Sequence, residues 1–241
     1  MSEESRAGPP ISLMYLLRYL KRLVREPRLF RSLFVDVKKP IITTLAECTP
    51  DFFFIQIGAH DGKSLDPIHG YVHRYGWQGI LVEPQPKMFE RLTRNYAKHE
   101  GLHFVPAAIS DTDGDVTFYL SRITTLSSLH ADEWFKGRND GIAYANRTRF
   151  GSSVPIIVEG MTWKSLLERH SVSRVDLLQI DTDGSDFDII RQIDFNAVRP
   201  AIIVLEVVHY DDATRSSVIS YLAERGYQVD YDGWNVIGYT A

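Results

Sequence analysis

The chain has 241 residues, 44% of them apolar, a formal charge of −4 and a single cysteine, Cys48. That length and apolar share suffice for one packed α/β domain with an appendage, and they exclude a disordered or fibrous chain. The mild negative charge excludes nucleic acid or an anionic membrane held by net charge, and one cysteine excludes an internal disulfide or a paired-cysteine zinc site, so a reducing cytoplasm is the expected compartment.

Residues 1–45 are expected to stand apart from the main domain. Residues 1–10 are polar and end in Pro9-Pro10, as a tail does. From Ile11 to Val24, Leu13, Leu17, Leu20 and Val24 recur at helical spacing while Arg18, Lys21, Arg22 and Arg25 gather on another face. This pattern predicts a basic amphipathic helix that Pro27 ends. Its apolar stripe is expected to pack on the domain or on a second subunit of a homodimer; peripheral contact of residues 11–25 with an anionic membrane is the other reading. No stretch approaches the ~20 apolar residues of a membrane span, and charges follow the first apolar residues, unlike a signal peptide.

Residues 46–241 are predicted to form one domain in which short apolar runs alternate with helical stretches, the habit of a parallel sheet covered on both faces. The predicted strands are Phe52–Ile57, Gly79–Glu83, His103–Pro106, Val175–Ile180 and Ala201–Leu205. The predicted helices are Ser64–Tyr75, Pro86–Lys98, Thr162–His170, Ser185–Ile193 and Asp211–Arg225. Tyr227–Tyr231, the turn Asp232-Gly233 and Trp234–Tyr239 read as a closing hairpin. Residues 121–153 break the alternation, mixing Trp134, Phe135, Tyr144 and Phe150 with Lys136, Arg138, Arg147 and Arg149. They are read as an insertion over the ligand edge of the sheet, a substrate lid or a surface loop with its own small core.

Chemistry enters at FFFIQIGAHDGKS, an apolar strand running into a turn with Gly58 and Gly62. Glycine lets a backbone approach a ligand, and a helix opening near Ser64 would aim free N–H groups at a carboxylate. Glu83, at the tip of the next strand, is placed to accept hydrogen bonds from both hydroxyls of a ribose. Together they point to an adenosine-containing ligand. The spacing Gly58-x-x-x-Gly62 lacks the third glycine of a dinucleotide fingerprint, which disfavours a pyrophosphate, and no phosphate-cradling G-x-x-x-x-G-K-[ST] loop is present. Asp181, Asp183, Asp186 and Asp188 fail the calcium-loop pattern. Asp186 and Asp188 read as first-turn acids of a helix. Asp181 and Asp183 with His209 or Asp211 form the oxygen- and nitrogen-bearing set that could hold a Mg²⁺.

The runs FIQIGAHDGKS, GILVEPQPKMFERLTRNY, FVPAAISDTDGDVTFY, VDLLQIDTDGSDFDIIRQI and AIIVLEVVHYDD, in this order over residues 50 to 232, resemble the FkbM family of S-adenosylmethionine-dependent methyltransferases. The resemblance implies a class I methyltransferase, a Rossmann-like α/β sandwich whose seven-stranded sheet ends in an antiparallel hairpin. It implies that Gly58, Ala59, His60 and Gly62, with Gln56 and Ser64 beside them, surround the methionine part of S-adenosylmethionine, and that Glu83 holds the ribose. It places Ala108, Ile109 and Ser110 near the adenine, and Asp181 near the methionine amino group and the reaction centre. The chain departs from relatives in having Gln56 where an acid is frequent and Thr182-Asp183-Gly184 in place of Val-Glu-Gly. Gln56 can accept from an ammonium group, but without its own charge.

The resulting expectation is an O-methyltransferase acting on a hydroxyl of a sugar, glycolipid or polyketide-like metabolite. A positioned base would remove the acceptor proton, His209 first and Asp181 second, with His60 a weaker candidate. Two other classes stay open at this point: an NAD-dependent oxidoreductase using the same Glu83, and a non-catalytic nucleoside-binding module that has kept the fold.

Overall fold

A computed structural model describes residues 42, 49, 51–64, 66–121, 127–129 and 153–240. The helix expected at 11–25, Cys48 and most of the insertion expected at 121–153 lie outside these residues.

The main sheet is built from Phe53–Ile57 (β1), Gln78–Val82 (β2), Leu102–Val105 (β3), Leu177–Ile180 (β7), Ile202–Glu206 (β8), Gln228–Tyr231 (β9) and Asn235–Tyr239 (β10). Their order across the sheet is β3-β2-β1-β7-β8-β10-β9. β1 pairs in parallel with β2 and β7, whereas β10 runs antiparallel to β8 and β9. The connections run outward from β1 to β3 and then return to β7, so the reversal of direction falls between β1 and β7. Ligands bind at such a switch point, outside the carboxyl ends of the strands.

The strands read as unbroken apolar runs because both faces are buried. Ile55, Ile57, Ile80, Val82, Leu178, Ile180, Ile203 and Leu205 face a core with Trp163 and Leu166 of Trp163–Arg169 (α3), Ile189 and Ile190 of Asp186–Arg191 (α4), and Val218 and Leu222 of Asp212–Ala223 (α5). Phe54, Leu81, Leu177, Ile202 and Val204 face the opposite core, with Val72 of His69–Tyr75 (α1) and Leu92 of Pro86–Asn95 (α2). The expected sandwich, mostly parallel with a terminal antiparallel hairpin, is the fold. Among the described residues no helix is long and apolar enough to cross a membrane.

Two expectations are corrected. The first helix starts at His69, not Ser64. Asp61 folds the intervening chain by accepting from Lys63 N at 3.0 Å and Ser64 N at 2.7 Å, and the residue before Pro67 is biased away from helical geometry. The second correction is a small sheet that the sequence reading did not contain. Ala107–Ile109 (β4), Gly114–Leu120 (β5) and Val154–Met161 (β6) pair in the order β4-β6-β5, so the 121–153 segment is the connection between two antiparallel neighbours.

Candidate active site

The glycine turn is held against the tips of both neighbouring strands. Gly58 N and Ala59 N donate to Val82 O, each at 3.0 Å, and Asp181 N donates to Ile57 O at 3.0 Å. Gly58 has φ 82°, and a Cβ there would lie 1.8 Å from the Asp181 carbonyl oxygen. The glycine is therefore required by the close approach of the β1 and β7 tips. His60 follows in the left-handed region, φ 50°, which turns its N–H onto Glu83 Oε2 at 2.7 Å. Gln85 N donates to the other oxygen, Oε1, at 2.8 Å. Glu83 is only 2% exposed, and burial, with Asp181 nearby, pushes its pKa up to about 7 against these two backbone hydrogen bonds and a third from the Gln85 side chain.

At the β7 tip the chain turns through Asp183 (φ 53°) and Gly184 (φ 126°). Buried Asp186 closes that turn by accepting from Thr182 N and Gly184 N, both at 3.2 Å. Asp186 and Asp188 do stand in the first turn of α4, as expected. Asp181, Asp183 and Glu206 bring one carboxylate oxygen each to within 4.8 Å of one another. Burial, the charges of Asp181, Asp183 and Asp186, and a hydrogen bond with Asp181 raise the Glu206 pKa far above the usual carboxyl range.

This geometry revises the place of His209. Its side chain is 3% exposed and sits behind the acids, 3.6 Å from Asp186 Oδ2 and 4.0 Å from Glu206 Oε2, stacked edge-on against Tyr210. It does not line the cavity, and Glu206 takes the position beside Asp181 and Asp183 that the sequence reading gave to His209. Asp211, the alternative there, caps α5 by accepting from Thr214 N at 2.7 Å.

A cavity of about 450 Å³ opens at the carboxyl ends of the strands. Of the expected cofactor residues, Gln56, Gly58, Ala59, His60, Ser64, Glu83, Ala108, Ile109 and Asp181 line it. Gly62 and Ser110 do not. Gly62 lets the turn pack on Leu92 and Tyr96, and Ser110 donates to Thr112 O and Met161 O. The helix N-terminus expected at Ser64 is absent, since the Ser64 N–H is already bound to Asp61. Residues that the sequence reading passed over complete the walls: Asp66, Phe118, Gln179, Glu206, Trp234 and Asn235. Gln179 could have been found, because a polar residue inside the apolar run VDLLQI needs a reason.

The lining fits an adenosine-bearing amino acid. Ala108, Ile109, Phe118 and Leu129 offer an apolar wall for a flat base, Glu83 offers acceptors for ribose hydroxyls, and Gln56 Oε1, Gln179 Oε1 and Ser185 Oγ are buried with no protein partner. Such atoms are rare unless a ligand meets them.

Sheet order, switch point and cavity define a class I methyltransferase. The model of the methyltransferase FkbM domain matches residues 56–229, and the chain belongs to that family, the S-adenosylmethionine-dependent methyltransferases expected above. No curated protein matches the chain. Among solved structures it is similar to precorrin-6Y C5,15-methyltransferase from Geobacter metallireducens, with 13% identity, TM-score 0.43, and 85% of this chain covering 90% of that one. It is also similar to the methyltransferase domain of METTL16, with 11% identity, TM-score 0.45, and 83% of this chain covering 64% of that one. A third is precorrin-8w decarboxylase from Methanobacterium thermoautotrophicum, with 11% identity, TM-score 0.41, and 83% of this chain covering 87% of that one.

Proposed function

We propose that the chain methylates a hydroxyl of a sugar-bearing acceptor, a free glycan, a glycolipid or a glycosylated metabolite. The observation that carries this is Trp234. It is 62% exposed, yet it lines the rim of the cavity, one residue from Asn235, which pairs in register with Glu206. An exposed indole lining the same cavity as Asp181, Asp183 and Glu206 suits the C–H face of a pyranose, with hydroxyls turned toward the acids.

The bound cofactor supplies a methyl group already activated on a sulfonium. Glu83 holds the ribose, the wall at Ala108, Ile109 and Phe118 takes the adenine, and Gln56 accepts from the ammonium group. Asp181, at the switch point, would take up the proton that the acceptor hydroxyl gives up. Glu206, donating its own proton, orients the Asp181 carboxylate. A positioned base of this kind is worth ~10²–10⁴-fold in rate. His209 acts one layer back, holding Asp186 and Glu206 in place.

The test is transfer of labelled methyl to a panel of glycans and glycolipids. Asp181→Asn is expected to lower kcat by ~10²-fold or more while S-adenosylhomocysteine still binds, and Trp234→Ala to raise KM for the acceptor. Labelling confined to amines or carbon acceptors, or tight binding of NAD with none of the methyl donor, would overturn the reading.

A further inference from the structure

Gln56 is the penultimate residue of β1, and its side chain is tied to an acid on the segment that follows the glycine turn. Its Nε2 donates to Asp66 Oδ1 at 3.1 Å. The same oxygen accepts from Ile68 N at 2.9 Å, and Oδ2 accepts from Tyr96 Oη at 3.1 Å. An ionised carboxylate only accepts, so Gln56 must turn its NH₂ toward Asp66 and its Oε1 away. That Oε1 is buried, on a residue 3% exposed, has no protein partner, and belongs to a side chain lining the cavity. Asp66 lines the same cavity. An acceptor left unpaired inside a protein is destabilising, so the functional state is one in which a ligand donates to it.

We propose that Gln56 and Asp66 form a composite receptor for the α-ammonium group of the cofactor: Gln56 Oε1 accepts the N–H, and Asp66 supplies the countercharge and fixes the amide in that orientation. This rests on the reading of the ligand as S-adenosylmethionine. Burial raises the Asp66 pKa above its ordinary value, and its three donors with nearby His69 hold that rise back. A cation on the far side of the amide adds to the second set, and the chain ammonium to amide to carboxylate is polarised in one direction. The negative charge of the subsite then sits at position 66, one amide away from the cation. Gln56 is the binding residue and Asp66 the positioning residue.

Calorimetry with S-adenosylhomocysteine, its deaminated counterpart and 5′-methylthioadenosine tests this. Asp66→Asn is expected to weaken S-adenosylhomocysteine about tenfold or more, the effect of losing one charge-assisted contact, and to leave the deaminated compound within about twofold. The Gln56→Glu/Asp66→Asn double variant, which returns the charge to the strand tip, should recover most of the loss. A structural role alone would not be rescued this way. Gln56→Met keeps the Asp66 contacts to Ile68 and Tyr96 and should show the same selective loss, so the test survives if Asp66→Asn fails to fold. Equal losses for aminated and deaminated ligands, or none for either, overturn the receptor while leaving the cofactor assignment standing. Wild-type protein that binds none of the three compounds overturns both.

Discussion

Glu83 already gives a hydrogen bond's worth of each carboxylate oxygen to the backbone, at His60 and at Gln85. What a ribose adds is further donors, and hydroxyl donors favour the charged form. In the free protein burial raises this carboxyl from its ordinary 4.5 to about 7. A raised carboxyl binds its proton more tightly folded than unfolded, so its contribution to stability is complete below pH 4.5 and is lost as pH rises through about 7. Cofactor binding runs the other way. Affinity for S-adenosylhomocysteine is expected to rise between about pH 5.5 and about pH 8, by up to about tenfold per unit below the pKa. Calorimetry across that range checks it, and a flat profile would remove Glu83 from the ribose contact. Glu83→Gln should fail on both counts. Its NH₂ would meet the N–H of His60 or Gln85, leaving a buried donor unpaired at roughly 1–3 kcal/mol, and a urea titration should show that loss without ligand.

The β1–β7 seam puts the same logic at the scale of elements. Gly58→Ala would drive a methyl into the Asp181 carbonyl and hold alanine at φ 82°, so a loss of roughly 2–4 kcal/mol is expected, with displacement of the β7 tip. Gly76 makes the control. It has φ 65° but nothing within 4 Å of a Cβ, so Gly76→Ala should cost only the backbone strain of about 1–2 kcal/mol. Equal destabilisation of the two would mean that backbone conformation, not strand-tip approach, explains Gly58. Elements of this kind were legible in the sequence because each carries its own period or its own turn residue: the apolar runs of β1, β2, β7 and β8, Gly58, the Asp232-Gly233 hairpin. The tips were legible too, as Glu83 and Asp181. Glu206, Trp234 and Asn235 were not, because their place depends on β10 lying antiparallel beside β8, a pairing between segments with no shared local signal. His209 was misplaced for a related reason. Chain position after β8 says it is near the ligand edge, but only three-dimensional packing says that Asp186 and Tyr210 stand against it on the inner side. The late start of α1 was hidden because Asp61 borrows the N–H groups of Lys63 and Ser64, a local competition that periodicity does not register.

For the molecule as a whole, the cavity is where separately built parts meet. Gln56 and Glu83 come from the β1 and β2 tips, Ala108 and Phe118 from the small sheet, Asp181 from the β7 tip and Asn235 from the closing hairpin. A ligand that touches all of these ties the small sheet and the hairpin to the central strands, so its stabilisation should be felt across the fold. Ligand at about 100 times its Kd adds about 2.7 kcal/mol by mass action. For a chain of this size that is a rise in Tm of roughly 5–10 °C. S-adenosylhomocysteine is expected to give this shift and NAD none, since the Gly58 to Gly62 turn lacks the third glycine around which a pyrophosphate is held. Amide hydrogen exchange with S-adenosylhomocysteine bound should slow in the β1–β2 tips, β4–β5, the 181–185 turn and the β9–β10 hairpin together. Protection confined to the β1 turn would mean that the small sheet and hairpin stand clear of the ligand, and the adenine wall and the Trp234 acceptor face would both have to be sought elsewhere.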